Sequence, residues 1–431
     1  MYRKIEDTLK EWKNDPEHLP LIVRGARQVG KSYSILKFAK ANYNVVLEIN
    51  FERDEDAKAQ FESSIDPDDI LSYLQLRYTE KLKGESSVLL FLDEIQACPR
   101  ALTSLKFLAS ECPYDIIASG SLLGVAIAAS TSFPVGYVKT IDLYPMDFEE
   151  YLYANSVTKD QIDMLKKYFV NEKPVPDGIH KIYLQHLKNY VLCGGMPAVV
   201  RDFVKYKDFT KVRERQQQIM KDYYEDMAKY AQPFDKVKVH ECFTSIPLQL
   251  GKENKKFQYK LIKNGGSARH YEGSLQWLKD SGLILQCYRL KTIDQPLAIQ
   301  KELNIFKVYL FDTGLLLSQL SPEVSTSIYT DEAIIYKGAV YENLVAQMLA
   351  AKGYPLYYFE PSTRSEIDFI LDTKNGIPIE VKSSHNTTSK SLNAYVEKYQ
   401  PSFAYKFSMN NISSQGCIKQ FPLYMLMFLS I

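Results

Sequence analysis

Gly25-Ala26-Arg27-Gln28-Val29-Gly30-Lys31-Ser32 stands one residue behind the apolar run Leu21-Ile22-Val23. Glycine, four residues, Gly-Lys and then a hydroxyl is the pattern of a phosphate-binding loop between a strand and a helix. Such a loop turns successive backbone N–H groups toward the β- and γ-phosphates of a nucleotide. Lys31 adds a point charge there, and Ser32 offers an oxygen to a magnesium ion. All eight residues are therefore expected to touch ATP. Arg24 and Arg27 flank the loop; each either stabilises phosphate charge or pairs with a surface acid.

Further on, Val88-Leu89-Leu90-Phe91-Leu92-Asp93-Glu94 reads as a buried strand ending in two acids. A wholly apolar strand belongs inside a parallel sheet, and acids at its carboxyl end face the crevice where ligands bind. Asp93 is expected to hold magnesium. Glu94 is expected to orient the attacking water and take its proton, because phosphoryl transfer needs positioning more than covalent chemistry. The next apolar run, Ile116 to Ala118, delivers Ser119-Gly120-Ser121 to the same edge. Ser119 or Ser121 either meets the γ-phosphate or the water, or belongs to a simple Gly-Ser turn.

Around this core, residues 1–150 alternate apolar runs (Leu21 to Val23, Val45 to Ile49, Val88 to Leu92, Ile116 to Ala118, Val138 to Leu143) with helix-like stretches such as Ser34 to Ala41 and Ala101 to Ser110. That alternation predicts an α/β fold with a mainly parallel sheet covered on both faces. Before it, Ile5, Leu9 and Trp12 share a helical face that ends at Asp15-Pro16. Residues 151–232 read as a helical region. Val212, Gln216, Ile219, Tyr223, Met227 and Tyr230 mark one long helix in it, and Cys193-Gly194-Gly195-Met196-Pro197 marks a tight turn. Residues 233–322 read as a winged-helix domain: Ala268, Tyr271, Leu275 and Leu278 lie on one helix face, Asp280-Ser281-Gly282 stops the helix, and a strand-like run from Leu283 to Leu290 follows. Residues 323–431 alternate again, with a helix over 338–350 and a hairpin joining Ile367–Leu371 to Ile377–Val381 across Asn375-Gly376.

A chain of 431 residues exceeds one core, and 45% hydrophobic with 24% charged residues is ordinary globular composition. The net charge of +1 gives no overall pull toward nucleic acid. Between Pro233 and Pro322, however, 13 Lys and Arg face 8 Asp and Glu. Lys255, Lys256, Lys260, Lys263, Arg269 and Lys279 belong to that excess, which reads either as a DNA-contacting surface or as a solvated face. The six cysteines are scattered without a zinc-ligand spacing, no apolar run nears the ~20 residues of a membrane helix, and the first residues lack a signal-peptide core. A cytoplasmic location with no membrane partner is expected.

The motifs together resemble the prokaryotic AAA+ ATPases of the archaeal-ATPase type. They are the phosphate loop, Leu92-Asp93-Glu94-Ile95-Gln96, Ser119-Gly120-Ser121 and Leu143-Tyr144-Pro145-Met146-Asp147-Phe148-Glu149-Glu150-Tyr151-Leu152. Gly194-Gly195-Met196-Pro197, Ser245 to Leu250 and Phe311-Asp312-Thr313-Gly314-Leu315 resemble the C-terminal module fused to that ATPase. The resemblance implies an AAA+ strand order, a winged helix and a nuclease-like C-terminal domain. Relatives often carry Arg or Lys where this chain has Tyr137. If that basic residue acts on a neighbouring subunit's nucleotide in a homo-oligomer, Arg100 is the fallback here.

Glu342, Asp368, Glu380 and Lys382 form a second set. Glu380 and Lys382 are two apart on one strand and point to one face; Asp368 meets them across the hairpin, and Glu342 comes from the preceding helix. The set resembles a PD-(D/E)XK nuclease core of the restriction-endonuclease-like α/β type. There, Glu342, Asp368 and Glu380 would hold magnesium or manganese, and Lys382 would position water or stabilise charge. The plain alternative is a group of salt bridges, with His385 a loop residue. Three functions compete: an ATP-dependent protein acting on DNA, an ATP-gated switch whose C-terminal domains only bind, and a protein-remodelling ATPase.

Overall fold

The computed structural model describes residues 1–430 apart from 122, 126–132, 231–235, 333–335, 363–364, 374 and 384–388. Ser132, Lys374 and His385 fall outside the described residues. Two compact units emerge, Tyr2–Tyr144 with Asp280–Gly282, and Pro145–Lys279 with Leu283–Ile431.

The first unit is built on a five-stranded sheet in the order β2 (Val45–Asn50), β3 (Val88–Asp93), β4 (Asp115–Gly120), β1 (Leu21–Arg24), β5 (Lys139–Asp142). Every pairing is parallel. β3 is buried at all six positions, as its unbroken apolar sequence requires. Helices Lys31–Asn42 and Pro99–Glu111 connect the strands, and Ile22, Leu47, Leu90, Leu102 and Leu105 fill one core between strands and helices. The leading helix Ile5–Asn14 buries Ile5, Leu9 and Trp12, the face its spacing predicted. Because all strands run the same way, the ends of β1, β3 and β4 bring Gly25, Asp93 and Ser121 to one rim.

The second unit begins with helices, including Asp177–Cys193, Pro197–Tyr206 and the long Phe209–Tyr230. Val212, Gln216, Ile219, Tyr223 and Met227 on that long helix are buried, as expected. Two sheets follow. One is four-stranded in the order β7 (Lys301–Leu310), β6 (Ile284–Leu290), β8 (Tyr357–Ser362), β9 (Ser365–Ile367). The other is five-stranded in the order β10 (Phe369–Leu371), β11 (Ile377–Val381), β12 (Ala404–Ser408), β14 (Ile418–Pro422), β13 (Ser413–Gln415).

The expected hairpin forms, with Phe369 opposite Ile379. The run expected as one strand over 367–371 is instead cut at Asp368. β9 pairs with β8 and β10 with β11, so Asp368 sits where the chain steps from one sheet to the other. The strand pair after the helix Ala268–Asp280 is not an isolated wing, because β6 also pairs in parallel with β8. Helix Lys337–Ala351 is buried along nearly its whole length and packs against β6 and β7 of one sheet and β11 of the other. That placement puts Glu342 between the two sheets.

Candidate functional site

The phosphate loop closes on its own backbone. Gly25 has φ +149°, and a Cβ there would lie 2.2 Å from the Leu143 carbonyl oxygen, so only glycine fits. Arg3, itself buried, donates to the Val29 carbonyl at 2.7 Å and to the Tyr144 carbonyl at 2.7 Å, pinning the loop from outside. Helix Lys31–Asn42 starts directly behind the loop, so the positive end of its dipole faces any bound phosphate. Lys31 Nζ donates to the Gly25 and Ala26 carbonyls at 2.9 and 3.0 Å. Burial lowers the Lys31 pKa to about 8, even though Glu94 and Asp93 pull it upward. An arriving phosphate would pull it upward again.

Asp93 is the hub. Its carboxylate accepts from Ser32 Oγ at 3.0 and 3.1 Å, from Asn50 Nδ2 at 3.1 Å, and from Ser119 Oγ in a short bond. A carboxylate and a hydroxyl side by side at the loop are the oxygen ligands magnesium takes alongside phosphate. Glu94 follows with left-handed backbone at φ 50°. Gln96 Nε2 donates to Glu94 Oε2 at 2.6 Å and Ser121 Oγ to the same oxygen at 3.3 Å. Arg27 stays at the site, its Nε donating to Ser121 Oγ at 3.3 Å and a terminal nitrogen pairing with Glu52 at 3.3 Å. Arg24 instead forms a two-pronged ion pair with Asp142 at 2.9 Å, so it takes the surface-acid role. Asn50 and Arg3 are the members that sequence reasoning did not pick out, and Gln96 was quoted in a motif without a role. Asn50 ends β2 beside Asp93 in register, a signal that exists only once the strands are paired.

The C-terminal set comes together only in part: Glu366, not the expected Glu380, joins Glu342 and Asp368, while Glu380 stands outside that group and pairs with Lys382. Glu342, Glu366 and Asp368 offer oxygens within 4.8 Å of one another. Lys382 Nζ pairs with Glu380 Oε1 at 2.6 Å, and the Val381 N–H donates to Asp368 Oδ2 at 2.7 Å. Lys307, with no exposed surface, pairs with Glu366 in a short contact and with Glu342 Oε2 at 3.7 Å. Lys255 pairs closely with Glu342 Oε1, and Tyr309 donates its hydroxyl to Glu342 Oε2 at 3.3 Å. Burial pushes Asp368 well above the usual carboxylate range, and the Glu342 and Glu380 charges add to it. Burial pushes Glu342 up as well, but Lys255 and Lys307 outweigh it and hold the carboxyl low. Lys307, Lys255, Glu366 and Tyr309 were missed. A lysine inside the apolar strand Phe306 to Leu310 is the one signal that could have found Lys307.

Ion pairs also reduce the expected basic surface. Lys255 is taken by Glu342, and Lys256 pairs with Glu360 at 2.7 Å. Lys252, Lys260, Lys263, Arg269 and Lys279 are exposed. No helix among the described residues is long and apolar enough to cross a membrane.

Comparison with known families places an AAA domain at residues 17–152. Residues 184–324 and 337–426 match two domains of unknown function, DUF8612 and DUF4143. No curated protein matches the chain. Among solved structures, the Walker-type ATPase of Pyrococcus abyssi aligns over 74% of this chain and 95% of its own, at 15% identity and a TM-score of 0.46. Cdc6p from Pyrobaculum aerophilum aligns over 76% and 92%, at 12% identity and a TM-score of 0.27. The Drosophila ORC bound to DNA aligns over 75% and 93%, at 12% identity and a TM-score of 0.25. The parallel sheet, the loop and the family match agree: the N-terminal part is a P-loop ATPase domain of the AAA type.

Proposed function

We propose that the AAA domain binds and hydrolyses ATP, and that its nucleotide state governs how the C-terminal part engages DNA. The observation that carries this reading is the convergence of Lys31, Ser32, Asp93 and Glu94 on one rim of the parallel sheet, with Ser32 Oγ already hydrogen-bonded to Asp93. Ser32 and Asp93 fit magnesium, which would neutralise phosphate charge. Lys31 would leave the Gly25 and Ala26 carbonyls for phosphate oxygens. Glu94 would take the proton of the water that attacks the γ-phosphorus as the bond to the leaving ADP oxygen breaks. Ser119 fixes Asp93, and Arg27 and Ser121 stand beside Glu94. Arg100, exposed at the start of helix Pro99–Glu111, is the residue we assign to a neighbouring copy's nucleotide in a homo-oligomer, since Tyr137 offers no charge.

Lys31→Ala tests the site. Losing one ammonium that bonds a phosphate costs about 2–3 kcal/mol, so nucleotide affinity should fall on the order of 30- to 160-fold. A calorimetric titration with a non-hydrolysable ATP analogue reads it; unchanged affinity would refute the assignment.

DNA is the partner we assign to the exposed Lys252, Lys260, Lys263, Arg269 and Lys279. With about three phosphate contacts, affinity for a short duplex should drop about 40-fold between 50 and 200 mM salt. Fluorescence anisotropy measures this. A salt-insensitive result would favour the protein-remodelling reading instead. The ATP-gated switch that binds without cutting is favoured over a nuclease by one observation, the ammonium of Lys307 among the C-terminal acids.

A further inference from the structure

The acid cluster of the second unit has the carboxylates of a metal centre but also lysines in the space a cation would need. Glu342 is held on both oxygens, one by Lys255 and the other by Tyr309 and Lys307. Glu366 Oε1 is held by Lys307, Asp368 Oδ2 by the Val381 N–H, and Glu380 Oε1 by Lys382. The other Glu380 oxygen, Oε2, is buried with no hydrogen-bond partner among the described residues. A divalent cation needs several of these oxygens within about 2.0–2.6 Å. Two of the three acids grouped closely enough to hold one are already engaged by Lys307.

Lys307 cannot easily yield. It lies in β7 between Phe306 and Val308, both buried, and its own side chain has no exposed surface. β7 is paired with β6 on either side of this position, Lys307 itself standing opposite Cys287. Swinging the ammonium out would break the strand pairing or leave a charge in the apolar core, where an unpaired ion is heavily penalised. A metal bound beside it would meet a like charge at close range in a poorly screened interior.

We propose that the Lys307 ammonium takes the place of the divalent cation in this cluster, making it a metal-independent ion network. The residues therefore do not fit the magnesium or manganese that the nuclease resemblance implies. Lys255 completes the arrangement from the loop behind helix Lys236–Leu250, and Lys382 serves Glu380 rather than a water. This inference is independent of the nucleotide site.

Manganese titration of the full-length, nucleotide-free protein after dialysis against chelator tests it, with free Mn2+ followed by electron paramagnetic resonance. The unaltered protein should show no Mn2+ site that depends on Asp368. Lys307→Met should create one site per chain, tighter by on the order of 100-fold, since one unit charge has been removed beside the ligand oxygens. Adding Asp368→Asn to that variant should abolish the gain. A Mn2+ site in the unaltered protein that Asp368→Asn removes would overturn the proposal. So would a folded Lys307→Met protein that gains no site. If Lys307→Met does not fold, the unaltered protein and its Asp368→Asn variant still decide. Nicking of supercoiled plasmid by the unaltered protein with Mn2+, lost in Asp368→Ala, would count against it equally.

Discussion

Glu94→Gln should reduce steady-state ATP turnover by on the order of 10²–10⁴-fold while leaving nucleotide affinity nearly unchanged, because a positioned base contributes about that much to proton transfer. Glutamine keeps the size of Glu94 and can still accept from Gln96 and Ser121, which now hold Oε2 at 2.6 and 3.3 Å. It cannot take a proton from water. The loop, Lys31 and Asp93 are untouched, so binding energy is preserved and only the chemical step is lost. A phosphate-release assay paired with analogue titration separates the two. Equal loss of affinity and turnover would mean that Glu94 holds the site's structure. Unchanged turnover would mean that some other group is the base. The residue's left-handed backbone, φ 50°, matters here. It turns the side chain sharply off β3, so the two consecutive acids serve different partners: Asp93 gathers Ser32, Asn50 and Ser119, and Glu94 gathers Gln96 and Ser121.

The division between what the sequence disclosed and what it hid follows how local each signal is. Gly25 to Ser32 and Val88 to Glu94 carry their meaning in consecutive residues, and the strands, the rim and the Ser32–Asp93 bond follow from them. The hairpin that brings Asp368 to Glu380 and Lys382 was legible because Asn375-Gly376 sits between two apolar runs. Lys307, by contrast, earns its role from Glu366 and Glu342, 59 residues away in the first case, and Lys255 from Glu342, 87 residues away. No window on the sequence contains both partners. The basic excess over 233–322 shows the same limit from the other side. A count of charges cannot see that Lys255, Lys256 and Arg289 are taken by Glu342, Glu360 and Glu302. The break of the strand at Asp368 was equally invisible, because its cause is a change of partner sheet rather than any breaker residue.

Asp312→Ala should lower the stability of the C-terminal unit by about 3–5 kcal/mol, because it leaves buried donors without an acceptor and opens a small cavity. The wild-type carboxylate accepts from the Gly195 N–H at 2.6 Å and from the Leu315 N–H at 2.9 Å, capping helix Thr313–Ser318. Gly194 makes this possible: it has φ +69°, and a Cβ there would lie 2.1 Å from Asp312 Oδ1. Two motifs far apart in the chain, Gly194-Gly195 and Phe311-Asp312-Thr313-Gly314, are thus two halves of one junction. Burial raises the Asp312 pKa from 3.8 to about 6, against the downward pull of Gly195, Leu315 and Gly314. The folded state therefore holds the proton more tightly than the unfolded chain does. The stability this contributes is fully present below about 3.8 and lost as pH rises through about 6, to the extent of roughly 3 kcal/mol. Asp312→Asn cannot ionise, and its amide donor faces one of the two N–H groups, so it should be less stable than wild type at pH 4.5. The gap should narrow toward pH 7.5. Urea transitions of the three proteins at both values measure this. A gap that widens with pH would mean that the charged carboxylate is the stabilising form, and a loss under about 1 kcal/mol in Asp312→Ala would remove the junction from the fold's essential contacts.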